Sequence, residues 1–163
     1  TGVQTCALPI LRYNDFIKAL LSDDLDYMNQ YMNQVAMQTF SFFDTGKKAE
    51  EQEEPERFYH GFVLGLMVDL ADKYRITSNR ESGLGRYDIM MEPLEKNKRA
   101  YVIEFKVHKA KREKDLEETA QNALQQIAER NYDAELMARG IRKENIRHLG
   151  FAFWGKKVLI EQE

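Results

Sequence analysis

The chain has 163 residues, of which 43% are hydrophobic, and a formal net charge of −3 at pH 7. This length suffices for one sizeable hydrophobic core and is too short for two ordinary domains, so we expect a single core. Because the overall charge is weakly negative, any surface that binds nucleic acid has to be a local cluster of cations.

The first residues of the chain are unusual. The opening TGVQTCALPI reads like the in-frame translation of a common sequencing adapter, and we exclude residues 1–10 from fold prediction. On this interpretation, whatever preceded residue 11 in the natural protein is missing. The single cysteine, Cys6, excludes an internal disulfide and a cysteine-only metal cage. The sequence has neither a leader nor an apolar run of ~20 residues, so we expect a cytoplasmic protein.

Residues 11–43 carry apolar side chains at helical intervals, which predicts two or three short helices. The charged run DTGKKAEEQEE predicts a solvated loop. We therefore divide the chain into accessory helices and linker (residues 11–50) and a main domain (residues 51–163). Pro55, followed by large apolar side chains every three or four residues, predicts an amphipathic helix to about residue 73.

Strands dominate the next part of the chain. The sequence predicts a short strand at residues 74–78 and a glycine-containing turn at SNRESGLG. It predicts two more strands at residues 86–92 and 99–108. Residues 113–131 predict a helix, and HLGFAFWGKKVLI predicts a strand, a Gly-Lys-Lys turn and a further strand. The order αβββαβ, after an N-terminal helical extension, predicts an α/β (α+β) fold with a mixed central sheet flanked by helices.

The strand AYVIEFKVH places two kinds of side chain on its two faces, because successive side chains of a strand point to opposite sides. One face is apolar; the other carries Val102, Glu104, Lys106 and His108. An acid and a base on so apolar a strand are costly to bury unless they are paired or bind an ion, which favours a functional site. The alternative is a half-exposed strand whose Glu104 and Lys106 face water.

The preceding strand, RYDIMM, carries Asp88 between Tyr87 and Ile89. A symmetric hairpin with its turn centred near Lys96 places Asp88 opposite Glu104, although a slip of one or two residues would change the partner. Opposed side chains of antiparallel strands lie roughly 5 Å apart, so two carboxylates there would repel one another unless a cation lay between them. Oxygen ligands favour Mg²⁺ or Mn²⁺ over zinc.

Asp88 followed by Glu104-x-Lys106, in this order of helices and strands, resembles the PD-(D/E)XK nuclease superfamily. More closely, PERFYHGFVLGL, SNRESGLGRYDIM, YVIEFKV, ALQQIAERNY and GFAFWGKKV resemble the PD-(D/E)XK family usually found behind an AAA-type ATPase-like domain. The resemblance covers roughly residues 41–158, and Tyr87 stands where the superfamily has proline. It implies a restriction-endonuclease-like core, a nuclease that acts on nucleic acid and above all on DNA, and an N-terminal ATPase-like domain as partner.

The resemblance also implies roles for single residues. Asp88 and Glu104 correspond to ligands of Mg²⁺ or Mn²⁺, and Lys106 to the residue that orients or activates the attacking water and steadies the phosphate. Glu56, on the first main-domain helix, corresponds to a further acidic ligand; the alternative is that it only complements the positive end of the helix dipole. His60 lies one helical turn from Glu56, where it either joins the site or is structural.

On the second main-domain helix, Gln126 resembles the glutamine that some members place near the metal or the phosphate, and Tyr132 follows it. Both could instead border the helix core. Downstream of the strand, the run KVHKAKREK carries cations that either bind the phosphate backbone or face solvent: Lys109, Lys111, Arg112 and Lys114.

The alternative to a nuclease is a catalytically inactive, nuclease-like module that binds a partner or regulates an ATPase-linked protein. Retention of the aspartate, glutamate and lysine argues against this alternative. An ATPase in its own right is excluded, because the sequence has no G-x-x-x-x-G-K-[ST] loop.

Overall fold

The computed structural model describes residues 12–41 and 53–163. Residues 1–10, which resemble an adapter translation, and residues 44–52 of the charged run lie outside these ranges. The helices are α1 (Tyr13–Ser22), α2 (Leu25–Thr39), α3 (Glu53–Met67), α4 (Leu116–Arg130) and α5 (Asp133–Ala138). Short 3-10 turns follow α3 (Val68–Leu70) and precede the fourth strand (Lys143–Asn145). The strands are β1 (Tyr74–Ser82), β2 (Gly85–Pro93), β3 (Ala100–Val107), β4 (Ile146–Trp154) and β5 (Lys157–Gln162).

The strands form one five-stranded sheet in the order β1-β2-β3-β4-β5. β3 and β4 pair in parallel through the crossover that contains α4 and α5, and the other neighbours are antiparallel. The predicted mixed sheet flanked by helices is confirmed, as is the order αβββαβ. α5 was not predicted. No helix in the described ranges is long and apolar enough to cross a membrane.

Helices cover both faces of the sheet. On one face, Ile103 and Phe105 of β3 join a core with side chains of α1, α2 and α3, such as Phe16, Met28 and Tyr59. On the other face, Ala100 and Val102 pack with residues of α4 and of the segment that follows it. The alternation predicted for β3 is therefore confirmed, and both of its faces are buried.

α2 packs along the outer edge of β5 and binds it through side-chain hydrogen bonds. The carboxamide of Asn33 accepts a hydrogen bond from the Val158 N–H (2.9 Å) and donates to the Val158 carbonyl (2.7 Å). Asn29, one helical turn earlier, makes the same pair of bonds with Ile160 (2.7 and 3.0 Å). These side chains satisfy backbone groups that an edge strand otherwise leaves open.

β1 is longer than the sequence suggested. We predicted that the strand ends at residue 78 and that SNRESGLG forms the turn, but β1 runs to Ser82 and only two residues turn the chain into β2. β1 is an edge strand, and most of its polar second half faces solvent, so the segment lacks an apolar strand pattern. Gly83 occupies the turn with φ of 57°, and a Cβ there would lie 2.2 Å from the Arg130 carbonyl oxygen. Only glycine therefore fits where the turn meets the end of α4.

Candidate active site

Asp88 and Glu104 lie where the β2–β3 ladder ends. The last pair is Ile89 with Ile103, so the same register continued by one residue places Asp88 opposite Glu104. This is the register predicted from a symmetric hairpin. Beyond the last pair, the Phe105 N–H donates to Asp88 Oδ2 at 2.7 Å. The aspartate side chain thus takes the place of a backbone acceptor and is held beside β3.

The strand next to Asp88 is also irregular. Ser78 pairs with Ile89 and Arg80 with Tyr87, so Asn79 stands opposite Asp88 in the β1–β2 register. Asn79 has φ of 51°, a left-handed conformation that asparagine tolerates better than most residues and that is rare inside a strand. Asn79, Asp88 and Glu104 therefore follow one line across three strands.

The two carboxylates are poorly compensated. Glu104 is 3% exposed, so the alternative of a strand whose glutamate faces water is excluded. Burial, followed by the charge of Asp88, raises the pKa of Glu104 to about 9, while Lys106 opposes the shift. Burial also raises the pKa of Asp88 to about 6, against the hydrogen bond from the Phe105 N–H. Two acids that resist ionisation side by side are an environment that a cation would relieve.

The donor set fits a hard divalent cation. Glu104 Oε2 is buried and has no hydrogen-bond partner in the part of the chain that the structure describes. Among the same residues, no group of three or more His, Cys, Asp or Glu side chains is arranged to hold a metal. Mg²⁺ suits such a site, because it commonly binds one or two carboxylates and completes its shell with water and substrate phosphate. Asp88 and Glu104 could hold it in this way.

Lys106 and Gln126 belong to the same cluster. The Lys106 Nζ lies 3.8 Å from Glu104 Oε1 and donates to Gln126 Oε1. Gln126 Nε2 in turn donates to Glu104 Oε1 and lies 3.3 Å from the Tyr132 hydroxyl, which donates to the Arg86 carbonyl at 2.6 Å. The Gln126 carboxamide therefore bridges the acid and the base of the E-x-K motif. Gln126 and Tyr132 therefore lie close to Glu104 and Lys106, as predicted for site residues. The roles assigned to Gln126 and Tyr132 stay predictions.

Glu56 and His60 of α3 line a cleft of about 480 Å³ beside Asp88. Glu56 is exposed, and its charge raises the pKa of both Asp88 and Glu104. Its role as a metal ligand stays a prediction. The His60 ring lies 2.9 Å from Ser78 Oγ and 3.2 Å from Asn79 Nδ2. Burial lowers the pKa of His60 against the opposing charge of Glu56. His60 thus contacts β1 at its irregular residue.

The same cleft is lined by three residues that were not predicted from the sequence, Arg57, Asn79 and Arg86. Arg86 lies two positions before Asp88 on β2 and is exposed, so it offers a cation at the mouth of the cleft. Because Arg86 lies so close to Asp88 in the sequence, it could have been predicted as part of the site. The position of Asn79 depends on the β1–β2 register and on a backbone angle that no local pattern shows.

The basic run forms the loop between β3 and α4, and its cations are all exposed: Lys109, Lys111, Arg112 and Lys114. Glu113 fixes the loop by accepting from the Lys109 N–H (2.7 Å) and from Asn122 Nδ2 (3.0 Å). A small cleft of about 90 Å³ joins this loop to the site and is lined by Lys106, Lys109 and Glu56, among others. The cations therefore begin at the candidate site, and their binding role stays a prediction.

A protein-family model described as the PD-(D/E)XK nuclease superfamily matches residues 54–163, about two thirds of the chain. Neither a curated protein nor a solved structure shows significant similarity to the chain. The matched range contains all five strands and the Asp88, Glu104-x-Lys106 series, and the mixed sheet agrees with a restriction-endonuclease-like fold. The chain belongs to the PD-(D/E)XK nuclease superfamily.

Proposed function

We propose that this protein is a nuclease that hydrolyses phosphodiester bonds of nucleic acid, above all DNA, with Mg²⁺ or Mn²⁺ as cofactor. One observation carries the proposal. The buried Glu104 and the half-buried Asp88 both have raised pKa values and lie at the point where the β2–β3 ladder ends, with Lys106 beside Glu104. Glu104 Oε2 has no hydrogen-bond partner within the described part of the chain. Burial of such a group is unfavourable for the fold, and a bound cation would offset it.

The chain's own residues have distinct tasks in this proposal. Asp88 and Glu104 hold the cation, and Glu56 adds a carboxylate at the rim of the cleft. When bound, the metal supplies Lewis-acid activation of a phosphoryl oxygen and of a water molecule. Lys106 donates to a phosphate oxygen or to the attacking water, and contributes a positive charge where negative charge increases in the transition state.

Gln126 has a positioning task. Its carboxamide joins the Lys106 ammonium and the Glu104 carboxylate, so it limits the rotamers of the lysine before substrate arrives. A preorganised donor needs little rearrangement as the reaction proceeds, which is the main source of its catalytic effect. The nucleic-acid backbone lies along the cleft of Arg86 and the loop of exposed cations. An N-terminal ATPase-like domain remains a proposed partner that would couple the site to nucleotide hydrolysis.

The test uses the full chain and a panel of end-labelled substrates: DNA and RNA, each as single strands and as duplexes. Each is incubated with Mg²⁺, Mn²⁺ or EDTA. We expect metal-dependent cleavage of DNA that is lost in Glu104→Gln. In Lys106→Ala the rate should fall about 100- to 1,000-fold, the usual effect of removing one transition-state donor. Lys18→Ala, at a 78% exposed lysine on α1, is the matched control.

The outcomes separate the proposal from its rival. If Lys106→Ala cleaves the substrate at the wild-type rate, the role assigned to the lysine is wrong. Absence of cleavage on every substrate, together with no change in thermal stability on addition of either metal, would favour the inactive binding or regulatory module.

A further inference from the structure

An exposed tryptophan lies at the same end of the sheet as the candidate site. Trp154 ends β4, and the parallel register pairs Val107 with Phe153 immediately before it. In β4, Phe151 and Phe153 point to the α1–α3 face, so Trp154 points to the other face, which is also the face of Glu104 and Lys106. Trp154 is the only tryptophan of the chain and is 49% exposed.

The inner side of the Trp154 indole is well supported. The buried His108 ring lies 4.6 Å from it, centroid to centroid. His108 Nδ1 is in turn 2.8 Å from Thr119 Oγ1, and Tyr59 donates to the carbonyl of Gly155, the next residue in the turn, at 2.7 Å. The indole thus packs on a buried, hydrogen-bonded ring, and a bond from α3 holds the backbone of the turn next to it. A large aromatic whose position is already fixed loses little conformational entropy when a ligand stacks on it.

Cations flank the indole. The Lys157 ammonium lies 5.5 Å from the Trp154 ring centroid. The loop of Lys109, Lys111 and Arg112 begins directly after His108, on which Trp154 packs. Single exposed apolar residues are common on protein surfaces and need no function. This one differs because a lysine ammonium lies over its ring, because a loop of cations begins directly after the His108 on which it packs, and because it lies roughly 13 Å along the strand direction from Glu104, four residues at the strand rise.

An aromatic platform beside exposed cations matches the way proteins bind single-stranded nucleic acid, with bases stacked on rings and phosphates held by lysine and arginine. Within a duplex the bases are stacked on one another, so that only the terminal pairs offer a face to an indole. We propose that Trp154 stacks on an unpaired base next to the scissile phosphate, so that the substrate is single-stranded nucleic acid or a single-stranded segment of a duplex. This inference rests on the proposed nuclease function.

The single tryptophan gives a direct test, because stacking of a base on an indole quenches its fluorescence. The full-length protein is titrated in EDTA, which prevents cleavage, with a single-stranded DNA oligonucleotide, the RNA of the same sequence, and the blunt DNA duplex. We expect saturable quenching by the single strands and no comparable quenching by the duplex. Equal quenching by single strand and duplex, or none by either, would overturn the inference.

Variants provide a second readout, through the fluorescence anisotropy of a labelled oligonucleotide. Trp154→Ala should weaken single-strand binding by about 5- to 150-fold, the range of one stacked base, and should leave duplex binding within about twofold. Trp154→Phe retains a ring and should recover most of the affinity. Leu94→Ala, at a 58% exposed residue at the opposite end of the sheet, should bind like the wild type. Circular dichroism of each variant checks its fold.

Failure of this inference can be told apart from failure of the proposed function. Metal-dependent cleavage with unchanged fluorescence and unchanged binding by Trp154→Ala would refute the platform and leave the nuclease standing. Quenching by single strands with no cleavage in Mg²⁺ or Mn²⁺ would support the platform and count against hydrolysis.

Discussion

Glu104→Gln is expected to stabilise the protein when no divalent metal is present. Burial and the charge of Asp88 raise the pKa of Glu104 from 4.5 to about 9. Between these values the native state binds a proton that the unfolded chain has released, so the free energy of unfolding falls as pH rises. At pH 7, ~2.5 pH units above the unfolded pKa, this loss of unfolding free energy amounts to about 3 kcal/mol. Glutamine removes this penalty and keeps an oxygen for the hydrogen bond from Gln126.

Thermal melting in EDTA, followed by circular dichroism, measures the effect. For a chain of this size ~1 kcal/mol shifts the melting temperature by about 2–4 °C, so the variant should melt about 6–12 °C above wild type at pH 7. Toward pH 4.5 and below the two should converge, because the unfolded wild-type chain then also keeps the proton on Glu104 and no longer gains from releasing it. Glu144→Gln, at a 65% exposed glutamate, is the matched control and should show no such trend.

Added Mn²⁺ should reverse the order. A metal that binds only the native state stabilises by about 2.7 kcal/mol at 100 times its dissociation constant, and this gain requires the ionised Glu104. Wild type should therefore gain stability while Glu104→Gln gains little. If the melting temperatures of wild type and Glu104→Gln in EDTA differ by the same amount at every pH, the conclusion that Glu104 is an uncompensated buried acid is wrong. An equal response of both proteins to Mn²⁺ would assign the metal to other residues.

The remaining predictions concern four other positions or groups. Asp88→Asn should melt at or above the wild-type temperature in EDTA above pH 6, and should lose the response to Mn²⁺ in the same melting assay, because burial raises the Asp88 pKa to about 6. Phe105→Ala should lower the free energy of unfolding in urea by about 3–5 kcal/mol, whereas Lys106→Ala should remain folded. Asn33→Ala leaves two backbone groups of Val158 without their partner, and urea denaturation should show a loss of about 1–3 kcal/mol. Replacing Lys109, Lys111 and Arg112 together by alanine should lower the slope of log binding constant against log salt concentration by about 2 to 3. An unchanged slope would show that these cations are solvated surface and do not bind phosphate.

The part of the site that the sequence could predict depends on short-range regularities. Strand alternation put Glu104 and Lys106 on the face opposite Phe105, and a symmetric hairpin put Asp88 across from Glu104. Both arguments involve residues close in sequence or joined by one tight connection. The geometry is then nearly fixed by the period of a strand and the position of a turn.

The missed features depend on contacts between distant segments. Asn29 and Asn33 look like ordinary polar residues of an amphipathic helix, yet they pair with β5, more than 120 residues away. The second half of β1 is polar because it lies at a sheet edge, which only the strand order reveals. Asn79 adopts its left-handed conformation inside that same segment. Periodicity shows which face is buried, but not which backbone groups a remote side chain satisfies.

The site and the end of the β2–β3 ladder have a common physical origin. If the ladder continued past Ile89 and Ile103, backbone groups of β2 would pair with β3, and the Asp88 carboxylate would not be needed to accept from the Phe105 N–H. The end of the ladder frees that N–H for the aspartate, and Asp88 lines a cleft there. Tyr87 packs on the α4 side although Ile89, two residues later, packs on the other side, so the alternation of β2 also breaks at Asp88. A regular sheet would bury both acids without room for a cation, whereas this irregularity places Asp88 on the wall of an open cleft with the buried Glu104 across the register from it.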